Sequence, residues 1–246
     1  MMNRIVVTLI SVLAIALPAK AQRADSLGIC HSEEFRVTQL IAPAVLIAGG
    51  TFATYNPWFR SNVNEPVRDY VLEKGFSRSY VDYLMSGLAP AAYLGIGWTW
   101  LQHSHSGKER AAVLATATAI QCAMEYGIKF STKIMRPDNS TATSFPSQHT
   151  AFAFMGAELM RIEYGPWWGI GAYSLAAATA IMRIYNNRHW VSDLIGGAGV
   201  GILSAQAAYW LLSLERRLFN WDSECTAALV PYAAPGTAGM ALSIVF

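Results

Sequence analysis

Six apolar segments, at about 38–55, 80–101, 111–128, 149–161, 167–184 and 191–214, dominate the chain. Each is longer than a strand, rich in Ala, Leu and Met, and carries its Pro or Gly mostly near an end. They therefore predict an all-α bundle of about six helices. Whether those helices face lipid or one another is a question of composition. The chain is 53% hydrophobic and 14% charged, more apolar and less charged than an average soluble domain. Trp98, Trp100, Trp167, Trp168, Trp190 and Trp210 fall near segment ends, where an interfacial aromatic belt would put them. Glu125 inside the third segment, and Glu158 and Arg161 in the fourth, would suit a soluble bundle as well. The balance favours a membrane-embedded bundle. A net charge of +2 without Lys/Arg runs gives no footing for a nucleic-acid partner.

Three short stretches carry the chemistry: Lys129 with Arg136-Pro137, Phe145-Pro146-Ser147-Gln148-His149, and Arg183 followed by His189 and Asp193. Lys and Arg seven positions apart share a face of a helix, where an ammonium and a guanidinium fork can grip one phosphate from two sides. At a spacing of four, Asp193 can hold one nitrogen of His189 and leave the other free to attack. His149 supplies a second imidazole with different neighbours, so the two rings can take opposite roles.

In register these blocks resemble the phosphatidic acid phosphatase type 2 (PAP2) superfamily, with its pattern K-x6-R-P, P-S-G-H and S-R-x5-H-x3-D. Gln148 stands where the pattern has Gly, and Met182 where it has Ser. The resemblance covers roughly residues 80 to 215. It implies that His189 attacks phosphorus as a surface nucleophile, that Asp193 orients it, and that His149 protonates the leaving alcohol and later activates water. Lys129, Arg136, Arg183, the Ser147 hydroxyl and the Gln148 backbone N–H would hold phosphoryl oxygens, with no metal and no cofactor. If position 148 needs φ > 0, Gln148 is strained. Met182 loses a supporting hydroxyl.

Plainer readings exist for most of these groups. Lys129 and Lys133 could be helix-end cations, Ser147 a helix N-cap, and His189 a ring packed beside Trp190. Arg188 reads as a solvated neighbour. His103 and His105 have no Cys or carboxylate close in sequence, and read as loop surface rather than metal ligands.

The ends have their own signals. Arg4, the apolar run Ile5 to Leu17 and Ala19-Lys20-Ala21 predict a signal peptide over 1–21 cleaved before Gln22. The phosphatase domain follows over 22–220, and a C-terminal extension over 221–246. In that extension Pro235-Gly236 and the alternating run from Gly239 to Phe246 read as a turn and a short strand. Parity links segment 38–55 to the placing of the site. A full crossing after a cleaved signal puts the motif loops in the cytoplasm, whereas packing without crossing leaves them in the periplasm. We prefer the second, because it gathers Lys108, Arg110, Arg161, Arg216 and Arg217 on the cytoplasmic side. A Cys30–Cys225 disulfide would contradict it, and Cys122 reads as a buried helix residue.

The expectation is a phosphoric ester hydrolase of the bacterial inner membrane with its site facing the periplasm. It would remove a phosphate or pyrophosphate group from a lipid such as lipid A, phosphatidylglycerophosphate, phosphatidic acid or undecaprenyl pyrophosphate. The alternatives are a soluble periplasmic acid phosphatase, a vanadate haloperoxidase and a non-catalytic envelope protein that binds phosphorylated lipid. Oligomeric state has no signal in the sequence.

Overall fold

The computed structural model describes residues 35–98, 104–221, 226–234 and 237–245. The expectations for the signal peptide, Cys30, Cys225, His103 and Trp100, and for the side chain of Trp98, lie outside the described residues. Among the described residues are seven α-helices of ten residues or more: α1 (Val37–Tyr55), α2 (Glu65–Lys74), α3 (Val81–Gly95), α4 (Gly107–Thr132), α5 (Gln148–Tyr164), α6 (Pro166–Tyr185) and α7 (Val191–Leu218). All six apolar segments form helices within their described residues. The seventh, α2, lies in the polar stretch 56–79, for which the sequence predicts no element. Asn56 starts that stretch by accepting the Phe59 N–H at 3.0 Å. A π-turn follows over Arg60–Asn64, and Gly75 at φ 59° closes α2 in the left-handed region that lacks a Cβ penalty only for Gly.

Helices α5 and α7 form the centre. On α5, Ala151, Met155, Ala157 and Leu159 are fully buried. It packs against α3, α6 and α7, while α7 also carries α1 and α4. Small residues let these backbones approach: a Cβ on Gly201 of α7 would lie 2.1 Å from the Ala151 carbonyl oxygen of α5. Between helices in lipid, such close packing replaces the hydrophobic drive that water supplies.

Helices α1, α4 and α7 are each long and apolar enough to cross a membrane. The position of α1 departs from the preferred arrangement. Its start meets the distal part of α7, with Phe35 against Trp210 at 5.0 Å and Trp210 Nε1–H donating to Gln39 Oε1 at 3.0 Å. Its later turns meet the beginning of α7, where a Cβ on Gly50 would be 2.4 Å from Gly196 N. Thus α1 is antiparallel to α7 and runs alongside most of it, rather than packing on the bundle without traversing it. Residue 36 therefore sits at the end opposite Ser192 and the motif loops.

That opposite end is tied by a buried polar cluster. Glu163 Oε1 accepts the backbone N–H groups of Ser104 and His105, both at 2.9 Å, and Oε2 lies 2.7 Å from His105 Nδ1 and 3.0 Å from the Tyr209 hydroxyl. Tyr93 and Tyr209 share a 3.0 Å hydroxyl contact. His105 is 2% exposed, not loop surface. Its carboxylate partner lies 58 residues away and is invisible to a search along the chain. Glu158 and Arg161 pair in the same helix at 2.7 Å, with Tyr173 and Gln206 also donating to Glu158. Cys122 is half-buried rather than buried.

The tail is a hairpin. Strand β1 (Thr226–Ala234) pairs antiparallel with β2 (Thr237–Val245), from Thr226 opposite Val245 to Ala234 opposite Thr237. The sequence predicts the second strand but not the first, and the turn expected at Pro235-Gly236 lies outside the described residues.

Candidate active site

The site forms where α4, α5, α6 and α7 meet the loops 133–147 and 186–190. Helix α4 stops at Thr132, and Lys133 caps it in the left-handed conformation at φ 49°. Lys129 is therefore in the last turn, and Arg136 lies in the following loop rather than two turns along one helix. The loop is braced by Arg136 N–H to the Thr141 carbonyl at 3.0 Å and Ser144 N–H to the Ile134 carbonyl at 2.9 Å. His189 likewise precedes α7, while Asp193 sits in its first turn.

His189 is buried, at 3% exposure, not a surface group. Its Nδ1 is 2.9 Å from the Ser144 carbonyl oxygen and 3.4 Å from Asp193 Oδ2. The carbonyl is the nearer acceptor, so Ser144 holds the Nδ1–H tautomer together with Asp193. Asp193 is itself fixed, because Oδ2 accepts the Trp190 N–H at 2.8 Å and the Ser144 hydroxyl. His189 Nε2 hydrogen-bonds to no described residue. Burial lowers the His189 pKa; hydrogen bonding and charge from Asp193 oppose this, and Arg183 and Arg136 add to it, leaving the ring below the ordinary imidazole value. A neutral imidazole with Nε2 free is the nucleophilic form.

His149, on the first turn of α5 and outside the three candidate spans, is half-buried. The edge of its ring meets Tyr83 at a centroid separation of 4.3 Å. Burial, then the Arg183 charge, lower its pKa to about 4; Asp82 opposes them, and His189 and Lys129 reinforce them. A bound phosphoryl dianion counters those cations and returns the ring towards its charged form.

Cations with unused donors surround the two rings. Arg183 is buried, its Nη1 ion-paired with Asp82 and its Nε without a partner. Arg136 Nε is also buried and unpartnered; burial first, and then Arg183 and Arg188, lower its pKa. Lys129 Nζ is 3.9 Å from Glu125 Oε1, beyond hydrogen-bond reach, and its charge is felt at His149. Ser147 occupies the N-cap position of α5 without making a side-chain cap bond. Its Oγ accepts from Thr150 Oγ1 at 3.0 Å, which leaves its own proton to donate, and its N–H is tied to the Asp193 carbonyl at 3.1 Å. Gln148 begins the helix with ordinary negative φ, so the strain considered for that position does not arise. The first-turn N–H groups of α5 face outwards from the helix end as donors for an anion.

All eight predicted site residues thus gather at one end of the bundle. The sequence reading misses three more. Ser144 acts through its carbonyl, and Asp82 and Tyr83 come from α3, 101 residues from Arg183 in the case of Asp82. Arg188 is not merely solvated: with Arg78 it pairs to Asp138, at 3.1 and 3.3 Å. Chemically, a free imidazole nitrogen, three cations and a helix N-terminus around one point suit a tetrahedral oxyanion.

A family model described as the PAP2 superfamily matches residues 84–217. Over 103 residues the chain is 45% identical to a Lipid A 1-phosphatase of Porphyromonas gingivalis, covering 41% of this chain and 23% of that protein. Over 89 residues it is 36% identical to the putative undecaprenyl-diphosphatase YbjG of Escherichia coli, covering 34% of this chain and 45% of that one. The chain thus matches less than half the length of both curated relatives. A solved transmembrane PAP2-type phosphatidylglycerolphosphate phosphatase from Bacillus subtilis aligns over 89% of this chain and 96% of its own at 18% identity, with a TM-score of 0.37.

Proposed function

Because the chain belongs to the PAP2 superfamily, we propose that it hydrolyses a phosphate monoester or pyrophosphate on a lipid, without a metal, through a phosphohistidine. His189 Nε2 attacks phosphorus as the bond to the leaving oxygen breaks, and His149 gives its imidazolium proton to that oxygen. Water then attacks the phosphohistidine, His149 takes its proton, and the P–N bond breaks to release inorganic phosphate. Arg183, Arg136, Lys129, the Ser147 hydroxyl and the Gln148 N–H hold the phosphoryl oxygens while charge builds on them. The observation that carries this reading is His189 itself, with Nδ1 held at 2.9 Å by the Ser144 carbonyl and Nε2 unspent among cations.

A lipid substrate is favoured by three helices apolar enough to cross a membrane. It is also favoured by the names of the relatives, a lipid A 1-phosphatase and a putative undecaprenyl-diphosphatase. We place the site on the periplasmic face of the inner membrane, with Arg36, Lys108, Arg110, Arg161, Arg216 and Arg217 at the other end, on the cytoplasmic side. Since α1 runs antiparallel to α7, this puts residue 36 in the cytoplasm, which a signal peptide cleaved at 21 would contradict.

The test is turnover of 32P-labelled lipid A, phosphatidylglycerophosphate, phosphatidic acid and undecaprenyl pyrophosphate by the purified full chain in mixed micelles, with acid-labile label trapped on His189. A protein that releases phosphate with no label on His189, or from none of these lipids, refutes the reading. An impermeant thiol reagent on a Cys introduced at Ser140 of spheroplasts should react; protection until the membrane is broken refutes the periplasmic placement.

A further inference from the structure

Asp82 lies on α3, outside residues 84–217 matched by the family model, and contributes to none of the three motif blocks. It is nevertheless fully buried. Its Oδ2 forms the ion pair with Arg183 Nη1, while Oδ1 has no hydrogen-bond partner. Burying a carboxylate beside the cations meant for phosphate is costly unless it holds something in place. Arg183 is the group it holds. A guanidinium presents two parallel N–H bonds along its Nε–Nη2 edge, the geometry that matches two phosphoryl oxygens. With Nη1 committed to Asp82, that edge is left over, and its Nε is buried and unpartnered. The next residue, Tyr83, touches the His149 ring, and the Arg183 guanidinium carbon lies 5.9 Å from the Tyr83 ring centre.

We propose that Asp82 is a positioning residue for phosphoryl transfer: its ion pair fixes Arg183 with the Nε–Nη2 edge free for the phosphoryl group, on the turn of α3 whose Tyr83 touches the His149 ring. The proposal rests on the phosphatase reading of the same site. The groups that bear on His149 are Asp82 and Tyr83 from α3, Arg183 from α6, Lys129 from α4 and His189 from the 186–190 loop. Asp82 is the acid among them, and the remaining charged groups oppose protonation.

The experiment compares wild type, Asp82→Asn and Asp82→Glu as full-length protein in micelles. It measures hydrolysis of phosphatidic acid across pH, inhibition by orthovanadate, and titration of the histidine ring signals by NMR. Asp82→Asn is expected to lower kcat about 10–100-fold, as a sub-ångström misplacement of a binding group does. It should weaken vanadate inhibition by a similar factor and move the His149 titration to lower pH. Asp82→Glu keeps the charge, so it should retain the wild-type His149 titration with an intermediate kcat. A merely structural Asp82 would lower activity only in step with the amount of folded protein, and would leave the titration and the vanadate affinity of that folded fraction unchanged. That result overturns the proposal. Should Asp82→Asn fail to fold, Asp82→Glu decides: wild-type kcat and vanadate affinity refute the positioning role, and loss of both with an unchanged titration supports it. If wild type hydrolyses none of the lipids named above, the phosphatase reading fails first. An Asp82→Asn protein indistinguishable from an active wild type fails only the assignment of Asp82.

Discussion

Replacing Gly197 with alanine would test how tightly the reaction depends on the seating of the 144–150 segment against α7. A Cβ at Gly197 would stand 2.7 Å from the Ser147 carbonyl oxygen and 3.4 Å from both Ser147 N and Thr150 Cβ. To regain ordinary contact the Ser147 carbonyl must recede by about 0.7 Å. That carbonyl belongs to the strip of chain carrying the Ser144 oxygen that holds His189 Nδ1 and the Ser147 N–H that meets the Asp193 carbonyl. The strip cannot shift without moving the nucleophile relative to its acceptors. Misplacement on the order of 1 Å costs about 10²-fold in rate, so Gly197→Ala should lose roughly 10–100-fold in kcat. Stability should change less, because alanine gains about 1 kcal/mol of helix propensity against an overpacking cost of about 1–3 kcal/mol. The assay is steady-state phosphate release from phosphatidic acid micelles beside a thermal melt. Gly127→Ala serves as the control, since a Cβ there meets nothing within 4 Å. A Gly197→Ala protein that is folded and within about threefold of wild type, on the same rate scale, would refute the argument; so would an equal loss in Gly127→Ala.

Asp193→Asn should slow turnover by about 10²–10⁴, as loss of a carboxylate that orients a catalytic imidazole does, and single-turnover kinetics would check it. Its effect should fall towards the lower end, because the Ser144 carbonyl still holds Nδ1. Phosphate release should persist in excess chelator and be inhibited by vanadate; activity lost in chelator and restored by Mg²⁺ would contradict the metal-independent route. His149 has its folded pKa depressed to about 4 from 6.5, so between those values the unfolded chain binds more protons than the folded one. Stability contributed by this group is present above pH 6.5 and lost as pH falls through about 4. The melting temperature should therefore fall on acidification in wild type and fall less in His149→Gln.

The six long helices and the clustering of the eight candidate site residues are legible because their signals are local. Apolar runs longer than a strand mark α1 and α3–α7, and the spacing within each motif block survives even where the helical geometry assumed for it does not. Lys129 and Arg136 converge through a loop rather than along a helix, which spacing alone cannot distinguish. What the sequence hides is either long-range or without a side-chain signature. Asp82 meets Arg183 across 101 residues, His105 meets Glu163 across 58, and Ser144 serves His189 through a backbone oxygen that any residue type could present. Helix α2 is obscured by a π-turn and by a polar composition that resembles a loop.

The Glu163 cluster gives the two ends of the bundle different mechanical characters. At its end, α3, α5, α7 and the entrance to α4 are cross-linked by hydrogen bonds whose polar atoms have no water to fall back on, so opening one leaves several unsatisfied. At the reaction end the joining runs through the buried Asp82–Arg183 pair and the Ser144–Asp193–His189 bonds, which tie two irregular loops to helix ends. Repulsion among Lys129, Arg136 and Arg183 at that end means that heat or harsh detergent should still fray the molecule there first. Amide exchange at Thr141 and Thr143, exposed in the 133–147 loop, should outpace exchange at Ser104 and His105, whose N–H groups Glu163 accepts, and enzymatic activity should vanish while most of the helical signal persists.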